Sequence, residues 1–165
     1  MTTEQPHFNR VALIGVGLIG GSLARVMRSQ KLADHVTAYS RRAKTRNRIK
    51  ELGFVDVVAD DAATAVADAD LVVVSVPVSA SGSVAEAIGP HLTPGTIVTD
   101  TGSVKQAVID AMSPHLPSQV HFVPGHPIAG TEHTGPDAGF DQLFEGRWCV
   151  LTPPEGTDAT ALSVV

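Results

Sequence analysis

The chain has 165 residues, a formal net charge of −5, 43% hydrophobic residues and 18% charged residues. That length suits one domain with a real hydrophobic core, and the low charged fraction argues against disorder and a highly charged binding tail. The negative net charge argues against a nucleic-acid partner, because phosphate binding needs a surplus of lysine and arginine.

The N-terminal sequence MTTEQPHFNR lacks the charged-then-apolar pattern of a signal peptide, and we expect residues 1–9 to form a tail. The longest apolar runs are far shorter than the roughly 18 residues of a membrane span. These features predict a soluble, cytoplasmic protein without a membrane partner. The single cysteine, Cys149, offers no internal disulfide and no zinc spacing, and its place in an apolar run predicts a buried strand thiol.

Short β-branched apolar runs alternate with stretches of helical spacing along most of the chain. The predicted strands cover residues 11–14, 36–39, 57–58, 71–76, 96–99, 120–123 and 148–151. The predicted helices cover residues 18–30, 42–52, 61–69, 83–92 and 103–116, and residues 157–158 suit the start of a further helix. Continuous apolar strands are typical of a parallel sheet covered on both faces. The order therefore predicts an α/β fold with a doubly wound, mostly parallel sheet of Rossmann type and right-handed crossovers.

A GxGxxG sequence, GVGLIG, stands between the first predicted strand and the first predicted helix. In that context Gly15 allows a tight turn, Gly17 lets backbone approach a pyrophosphate, and Gly20 lets helix and strand pack closely. Leu18 and Ile19 open the helix, whose free N–H groups and partial positive charge suit a phosphate. The sequence predicts a dinucleotide site, and the alternative is a glycine-rich turn without a ligand.

The position that reads the ribose follows the second predicted strand, where an NAD enzyme usually carries Asp or Glu. This chain has Ser40, Arg41 and Arg42 there and no carboxylate. Serine can hydrogen-bond a 2′-phosphate and arginine can bind it through two N–H groups, so the segment predicts NADP as the cofactor. The alternative is that both arginines form the solvated first turn of a helix and that NAD binds instead.

Chemically distinctive segments follow three later strands, at the edge where open α/β sheets bind their ligands. They read SVPV at 75–78, TDTGSVK at 99–105 and GHPIAGTE at 125–132. Proline cannot extend a strand ladder and turns the chain toward this edge, so we expect Val76 and Pro77 to contact the cofactor.

His126 stands between a glycine and a proline, which predicts a turn rather than a core strand. It can accept a proton from a substrate hydroxyl while hydride leaves the same carbon. Ser103 can hydrogen-bond that hydroxyl or orient the imidazole, and it can also cap the helix that follows. A lone histidine is more often structural, and His133 is the second histidine near this edge. Asp100 and Lys105 are interpreted as a local salt bridge and a solvated helix charge without a catalytic role.

In this order along the chain, GVGLIGGS, SVPV, TDTGSVK, GHPIAGTE and residues 143–153 resemble the N-terminal domain of the prephenate/arogenate (cyclohexadienyl) dehydrogenase family. The resemblance covers about residues 10–153 and implies NAD(P)-dependent oxidative decarboxylation in tyrosine biosynthesis. Prephenate would give 4-hydroxyphenylpyruvate, and arogenate would give tyrosine. The resemblance also implies that His126 accepts a hydrogen bond from the ring hydroxyl and that Ser103 assists at the same oxygen. It implies that Thr131 and Glu132 line the substrate pocket.

The family has a helical second domain that dimerises and supplies an arginine for the substrate carboxylate. The resemblance therefore implies that residues 154–165 begin a linker to that domain and that the complete protein is a homodimer. It also implies that the 165-residue chain alone is poorly active. One alternative is another two-domain NADP-dependent dehydrogenase or reductase, which would be expected to use a catalytic lysine or a different segment in place of GHPIAGTE. The other is a non-catalytic nucleotide-sensing module, which would need no histidine at this edge.

Overall fold

The computed structural model describes residues 6–165, which form a seven-stranded sheet with helices on both faces. The strands are β1 (Phe8–Ile14), β2 (Ala33–Tyr39), β3 (Val57–Val58), β4 (Leu71–Val74), β5 (Ile97–Asp100), β6 (His121–Pro127) and β7 (Cys149–Leu151). The α-helices are α1 (Leu18–Ser29), α2 (Ala43–Leu52), α3 (Ala62–Val66), α4 (Ser81–Ile88), α5 (Lys105–Met112) and α6 (Ala159–Val164). Short 3₁₀ turns extend α4 and α5.

The strand order is β3-β2-β1-β4-β5-β6-β7. Neighbouring strands pair in parallel from β3 to β6, and β7 pairs antiparallel with β6. The order reverses between β1 and β4, so the crevice for a ligand is expected beyond the carboxyl ends of these two strands. The predicted α/β fold with a doubly wound, mostly parallel sheet is confirmed.

The core consists of two buried clusters, because successive strand residues point to opposite faces of the sheet. On one face, alternate residues of β1, β4 and β5 pack with α3, α4 and α5. On the other face, the intervening residues of β1 and β4 pack with α1 and α2. Leu13 and Ile49 are fully buried in this second cluster, and each such side chain contributes about 1.5–3 kcal/mol of transfer free energy.

Most strand bounds differ from the predicted ones by one to four residues, and two of these differences affect other predictions. β1 begins at Phe8, inside the predicted tail, because it pairs with β2 from that residue onward. β6 continues to Pro127, because β7 pairs with the last three residues of that strand. The prediction that His126 lies in a turn is therefore wrong. Residues 1–5 of the predicted tail lie outside the described residues. The division into a tail (1–9), a dinucleotide domain (10–153) and a linker (154–165) stays a prediction.

A long connection between β6 and β7, which we call the crossing loop (residues 128–148), packs against α1 and α2. Arg25 of α1 donates a hydrogen bond to the Pro136 carbonyl at 3.3 Å. Arg48 of α2 donates through Nε to the Asp137 carboxylate at 2.8 Å. The loop thus starts beside β6 and is fixed to the helices of the opposite half of the sheet. Among residues 6–165, no helix has the length and apolar character that crossing a bilayer requires.

Candidate active site

Two adjoining cavities lie at the carboxyl edge of the sheet. The larger, about 650 Å³, is lined by the glycine loop and by residues that follow β2 and β4. The smaller, about 490 Å³, is lined by the start of α1, by residues that follow β5 and by the crossing loop. The two share a wall that contains Gly17, Val76, Pro77 and Gly135. They form one continuous crevice at the position expected from the strand order.

The glycines of the loop show why each is needed. Gly15 has a φ of +96°, and an added Cβ would lie 2.3 Å from the Ser75 carbonyl oxygen. A Cβ on Gly20 would lie 2.3 Å from the Gly15 carbonyl oxygen. A Cβ on Gly17 would meet no protein atom within 4 Å. Protein packing therefore explains Gly15 and Gly20 but not Gly17, whose bare backbone fits the close approach of a pyrophosphate.

The first turn of α1 opens directly onto the crevice. Gly17 is the N-terminal cap and supplies no side-chain hydrogen bond, and the first turn contains no acidic residue. Leu18 and Ile19 line the smaller cavity. The unpaired N–H groups and the positive end of the helix dipole suit an anionic ligand at this point.

The far end of the larger cavity is lined by Ser40, Arg41 and Arg42, and its lining contains no carboxylate. Both arginines are exposed, and neither guanidinium makes a hydrogen bond or ion pair within residues 6–165. The sequence analysis missed Arg46, which donates through Nη1 to the Ser40 and Arg41 carbonyl oxygens at 2.9 and 3.0 Å. Arg46 follows Arg42 by four residues, about one helical turn, and this spacing could have identified it from the sequence.

The predicted reaction residues are only partly brought together. Ser103 and Thr131 both line the smaller cavity. Ser103 is exposed and does not cap a helix, because α5 begins at Lys105 with Val104 as its cap. Glu132 is absent from the lining, and its side chain is 83% exposed and lies 3.4 Å from the His133 ring. His133 lines the cavity in its place.

His126 occupies the β6 position opposite Val150. Its Nδ1 atom is buried and has no hydrogen-bond partner within the described residues. The imidazole is not part of the cavity lining and makes no hydrogen bond to Ser103. Buried polar atoms are normally paired, and an unpaired one is a common feature of a functional group. The unpaired Nδ1 atom distinguishes His126 as a candidate reactive group.

Beside these residues lies an ion pair between Asp100 and Lys105. The predicted local salt bridge is confirmed, but the prediction of a solvated lysine is wrong. The Lys105 side chain is only 13% exposed and the Asp100 side chain 2%. The pair lies at the end of β5 and the start of α5, next to the segment that carries Ser103.

The prediction of a buried thiol is also wrong, although Cys149 does lie in a strand. Cys149 is exposed, and the neighbouring Trp148 is 82% exposed. β7 is the edge strand of the sheet, so only one of its sides pairs with another strand. Partial burial of the sulfur still raises the pKa of the Cys149 thiol above its usual range.

The fold and the glycine-loop crevice define a nucleotide-binding domain of Rossmann type. Residues 23–165 match the family described as prephenate dehydrogenase, nucleotide-binding domain. The chain belongs to the prephenate dehydrogenase family.

Relatives with known names support this assignment. The chain is 44% identical to the cyclohexadienyl dehydrogenase of Zymomonas mobilis over 96% of its own length and 54% of that protein. It is 32% identical to the prephenate dehydrogenase of Bacillus subtilis over 92% of its own length and 41% of that protein. The chain therefore spans about half the length of the curated relatives it matches.

A solved structure has the same architecture. Prephenate dehydrogenase from Aquifex aeolicus, in complex with hydroxyphenyl propionate and NAD⁺, superposes with a TM-score of 0.85 at 31% identity. The match covers 94% of this chain and 54% of that one.

Proposed function

We propose that the complete protein catalyses the NAD(P)-dependent oxidative decarboxylation of prephenate or arogenate, giving 4-hydroxyphenylpyruvate or tyrosine. The observation that carries the proposal is that the TDTGSVK and GHPIAGTE segments meet at the glycine-loop crevice in a chain 44% identical to a cyclohexadienyl dehydrogenase. The complete protein is proposed to be a homodimer, as the family resemblance implies.

The residues of the crevice fit a nicotinamide dinucleotide. Gly17 and the first turn of α1 would hold the pyrophosphate, and Val76 and Pro77 would contact the cofactor where the two cavities join. The cofactor, when bound, supplies the acceptor for a hydride from the substrate. The role of the protein is then to orient the substrate and to polarise one hydroxyl group.

In the proposed reaction, hydride leaves the ring carbon that bears the hydroxyl group. The bond between the ring and its carboxylate breaks, carbon dioxide leaves, and the electron pair of that bond enters the ring, which becomes aromatic. We propose that His126 accepts a hydrogen bond from the hydroxyl and that Ser103 assists at the same oxygen. For His126 this requires the substrate or the imidazole to reach beyond the present lining of the smaller cavity. Thr131 and Glu132 bind the substrate; for Glu132 this requires its exposed side chain to turn toward the cavity.

We propose NADP as the preferred cofactor. Arg41 and Arg42 are exposed and have no hydrogen-bond or ion-pair partner among residues 6–165. With Ser40 they line the end of the larger cavity that follows β2, which we call the adenosine end. Among the same described residues, no carboxylate lines this cavity to repel a 2′-phosphate. The Ser40 hydroxyl can add a hydrogen bond. Arg46 supports this segment by binding the Ser40 and Arg41 carbonyl oxygens. The ratio of the NADP and NAD dissociation constants of the complete protein tests this preference.

The activity is tested by incubating the complete protein with prephenate or arogenate and each cofactor, following the absorbance of the reduced cofactor. We expect turnover with at least one of the two substrates and recovery of the corresponding aromatic product. A protein whose melting temperature rises with cofactor but which oxidises neither substrate would be a nucleotide-sensing module. Oxidation of a hydroxy acid or an amine instead would indicate another dehydrogenase or reductase.

A further inference from the structure

Two glycines next to the reaction end of the crevice, the part lined by Ser103 and Thr131, share the same pair of charged partners. The Gly102 N–H donates to Asp100 Oδ2 at 2.7 Å, and its carbonyl accepts from Lys105 Nζ at 3.0 Å. The Gly125 N–H donates to Asp100 Oδ1 at 3.3 Å, and its carbonyl accepts from Lys105 Nζ at 2.6 Å. One ion pair therefore binds both the donor and the acceptor of each glycine.

These glycines immediately precede Ser103 and His126, which lie on segments far apart in the sequence. Because the same carboxylate and ammonium bind the backbone of both glycines, the ion pair sets the position of one segment relative to the other. Hydrogen bonds to charged groups are shorter and stronger than neutral ones, and burial strengthens them further.

The fit around the pair is close at both glycines, and closest at Gly102. A Cβ on Gly102 would lie 2.9 Å from Val108 Cγ2 and 3.0 Å from Asp100 Oδ2. A Cβ on Gly125 would lie 3.2 Å from the Asp100 carbonyl oxygen. A side chain at either position would have to be accommodated by a shift of these neighbouring atoms.

Lys105 has no hydrogen-bonding capacity left for a ligand. An ammonium group has three N–H donors, and Lys105 Nζ has three acceptors: Asp100 Oδ2 and the carbonyl oxygens of Gly102 and Gly125. This distinguishes the site from one in which a free lysine acts directly on the substrate.

We propose that the Asp100–Lys105 ion pair is a positioning device that sets the separation of Ser103 and His126. Lys105 acts through the backbone of both segments and does not itself touch the substrate. The inference rests on the proposed dehydrogenase function, because it concerns two residues to which that reaction gives roles.

The test uses the complete protein with Asp100→Asn and Lys105→Met combined, since Lys105→Met alone would leave a buried unpaired carboxylate. We expect kcat to fall roughly 10- to 100-fold, as for a displacement of reacting groups by about 1 Å. The KM values and the cofactor dissociation constant should stay within about threefold. Exposed Lys50, changed to Met, is the matched control and should leave kcat unchanged.

Ser103→Ala separates positioning from a general loss of stability. If the ion pair positions Ser103, Ser103→Ala should lower kcat by a clearly smaller factor in the double variant than in the wild type, because the effects of coupled residues are not additive. Equal costs in both backgrounds, or a double variant with wild-type kcat, would overturn the inference. Lys105→Arg covers the case in which the double variant does not fold. It keeps the charge, but a planar guanidinium cannot direct three donors from one nitrogen, so kcat should remain lowered at a normal melting temperature.

Amide hydrogen exchange gives a measurement that does not depend on activity. In the double variant the Gly102 and Gly125 amides should exchange at least about tenfold faster, while amides of β4 keep their protection. If the wild-type protein oxidised neither prephenate nor arogenate, the proposed function would be wrong, but the exchange result for the two glycine amides would still stand. Unchanged exchange at both glycines would end the proposal for the ion pair even in an active enzyme.

Discussion

The cofactor end and the reaction end of the crevice are built from different interactions. At the cofactor end, the glycine loop and the first turn of α1 present backbone groups, and the Gly15 N–H bonds to the Tyr39 carbonyl at 2.9 Å. At the reaction end, side chains must be placed from separate strands. There a buried ion pair binds the backbone, while His126 Nδ1 has no partner within the described residues.

This difference predicts different consequences of substitution at the two ends. A substitution at the cofactor end should change the dissociation constant of the cofactor and leave kcat intact, because the backbone groups that bind the cofactor are held by local interactions. A change at the reaction end should lower kcat with little effect on cofactor binding, because the cofactor site is complete without those side chains.

The largest effect is expected at the reaction end. His126→Asn in the complete protein should lower kcat by roughly 10²–10⁴, since an amide is a much weaker base than imidazole and polarises the hydroxyl less. The cofactor dissociation constant should change little. Steady-state kinetics with the preferred substrate, and a cofactor titration, measure the two quantities.

His121→Asn is a matched control, because His121 lies at the opposite end of the same strand, β6. It should retain wild-type kcat. Near-normal turnover in the His126 variant would show that the histidine has a structural role only. A large change in the cofactor dissociation constant of that variant would contradict the prediction that substitutions at the reaction end leave cofactor binding nearly unchanged.

The next effect concerns the adenosine end. Ser40→Asp should reverse the cofactor preference, because a carboxylate repels a 2′-phosphate and accepts hydrogen bonds from a free ribose. Charge-assisted hydrogen bonds contribute about 1.5–3 kcal/mol, so NADP should bind the wild type roughly 10- to 150-fold more tightly than NAD. Isothermal titration with both cofactors at two salt concentrations checks this, since NADP binding should weaken more with ionic strength. A wild type that binds NAD at least as tightly as NADP would contradict the role given to Ser40, Arg41 and Arg42.

Two substitutions in the glycine loop, three residues apart, should affect cofactor binding and folding separately. Gly17→Ala places its Cβ in open space, so the fold should be unaffected while cofactor affinity falls about tenfold or more through overpacking against the pyrophosphate. Gly20→Ala gains about 1 kcal/mol of helix propensity. Its Cβ would nevertheless lie 2.3 Å from backbone, a clash that should outweigh the gain and lower the melting temperature.

Cofactor titration and thermal melts of both variants measure these effects. The Gly17→Ala and Gly20→Ala variants control for each other, because both changes add one methyl group to the same segment. Equal losses of stability in the two variants would mean that Gly17 is needed for packing, and its assignment to the pyrophosphate would lose its support.

Residues close together in the sequence could be predicted best. The glycine loop needs only a strand, a turn and a helix in succession, and the structure has all three where they were expected. The rule that ligands bind at the carboxyl edge was enough to bring Ser103 and Thr131 to one cavity. Both inferences depend on local order or on a general property of parallel sheets.

Features that depend on distant partners could not be predicted. His126 lies in a strand because β7 returns antiparallel after 21 intervening residues, and no local signal gives that pairing. The exposure of Cys149 follows from the edge position of the same strand. Lys105 resembles any exposed residue at a helix start, and its burial depends on a carbonyl oxygen 20 residues away.

The smallest effect is expected at the crossing loop, which connects the two ends. Hydrogen bonds from Arg48 lower the pKa of the Asp137 carboxyl group, so this group contributes stability above its unfolded pKa of about 3.9. That contribution is lost as the pH falls through the lower folded value. Asp137→Asn should therefore melt at a slightly lower temperature than the wild type at pH 7, and the difference should vanish in acid.

Melting temperatures of both proteins from pH 7 down to about pH 2, well below the ordinary pKa of an aspartate, check the sign. Because Asp137 follows Pro136, which lines the larger cavity, cofactor affinity should also fall slightly, by less than about threefold for an exposed ion pair. Asp34→Asn, at another exposed carboxylate, controls for the loss of one negative charge. A stability difference that persists in acid would mean that the Asp137 variant disturbs the loop by other means than its ion pair. A loss of cofactor affinity well beyond threefold would mean that the Asp137 side chain itself contributes to cofactor binding and does not only hold the loop in place.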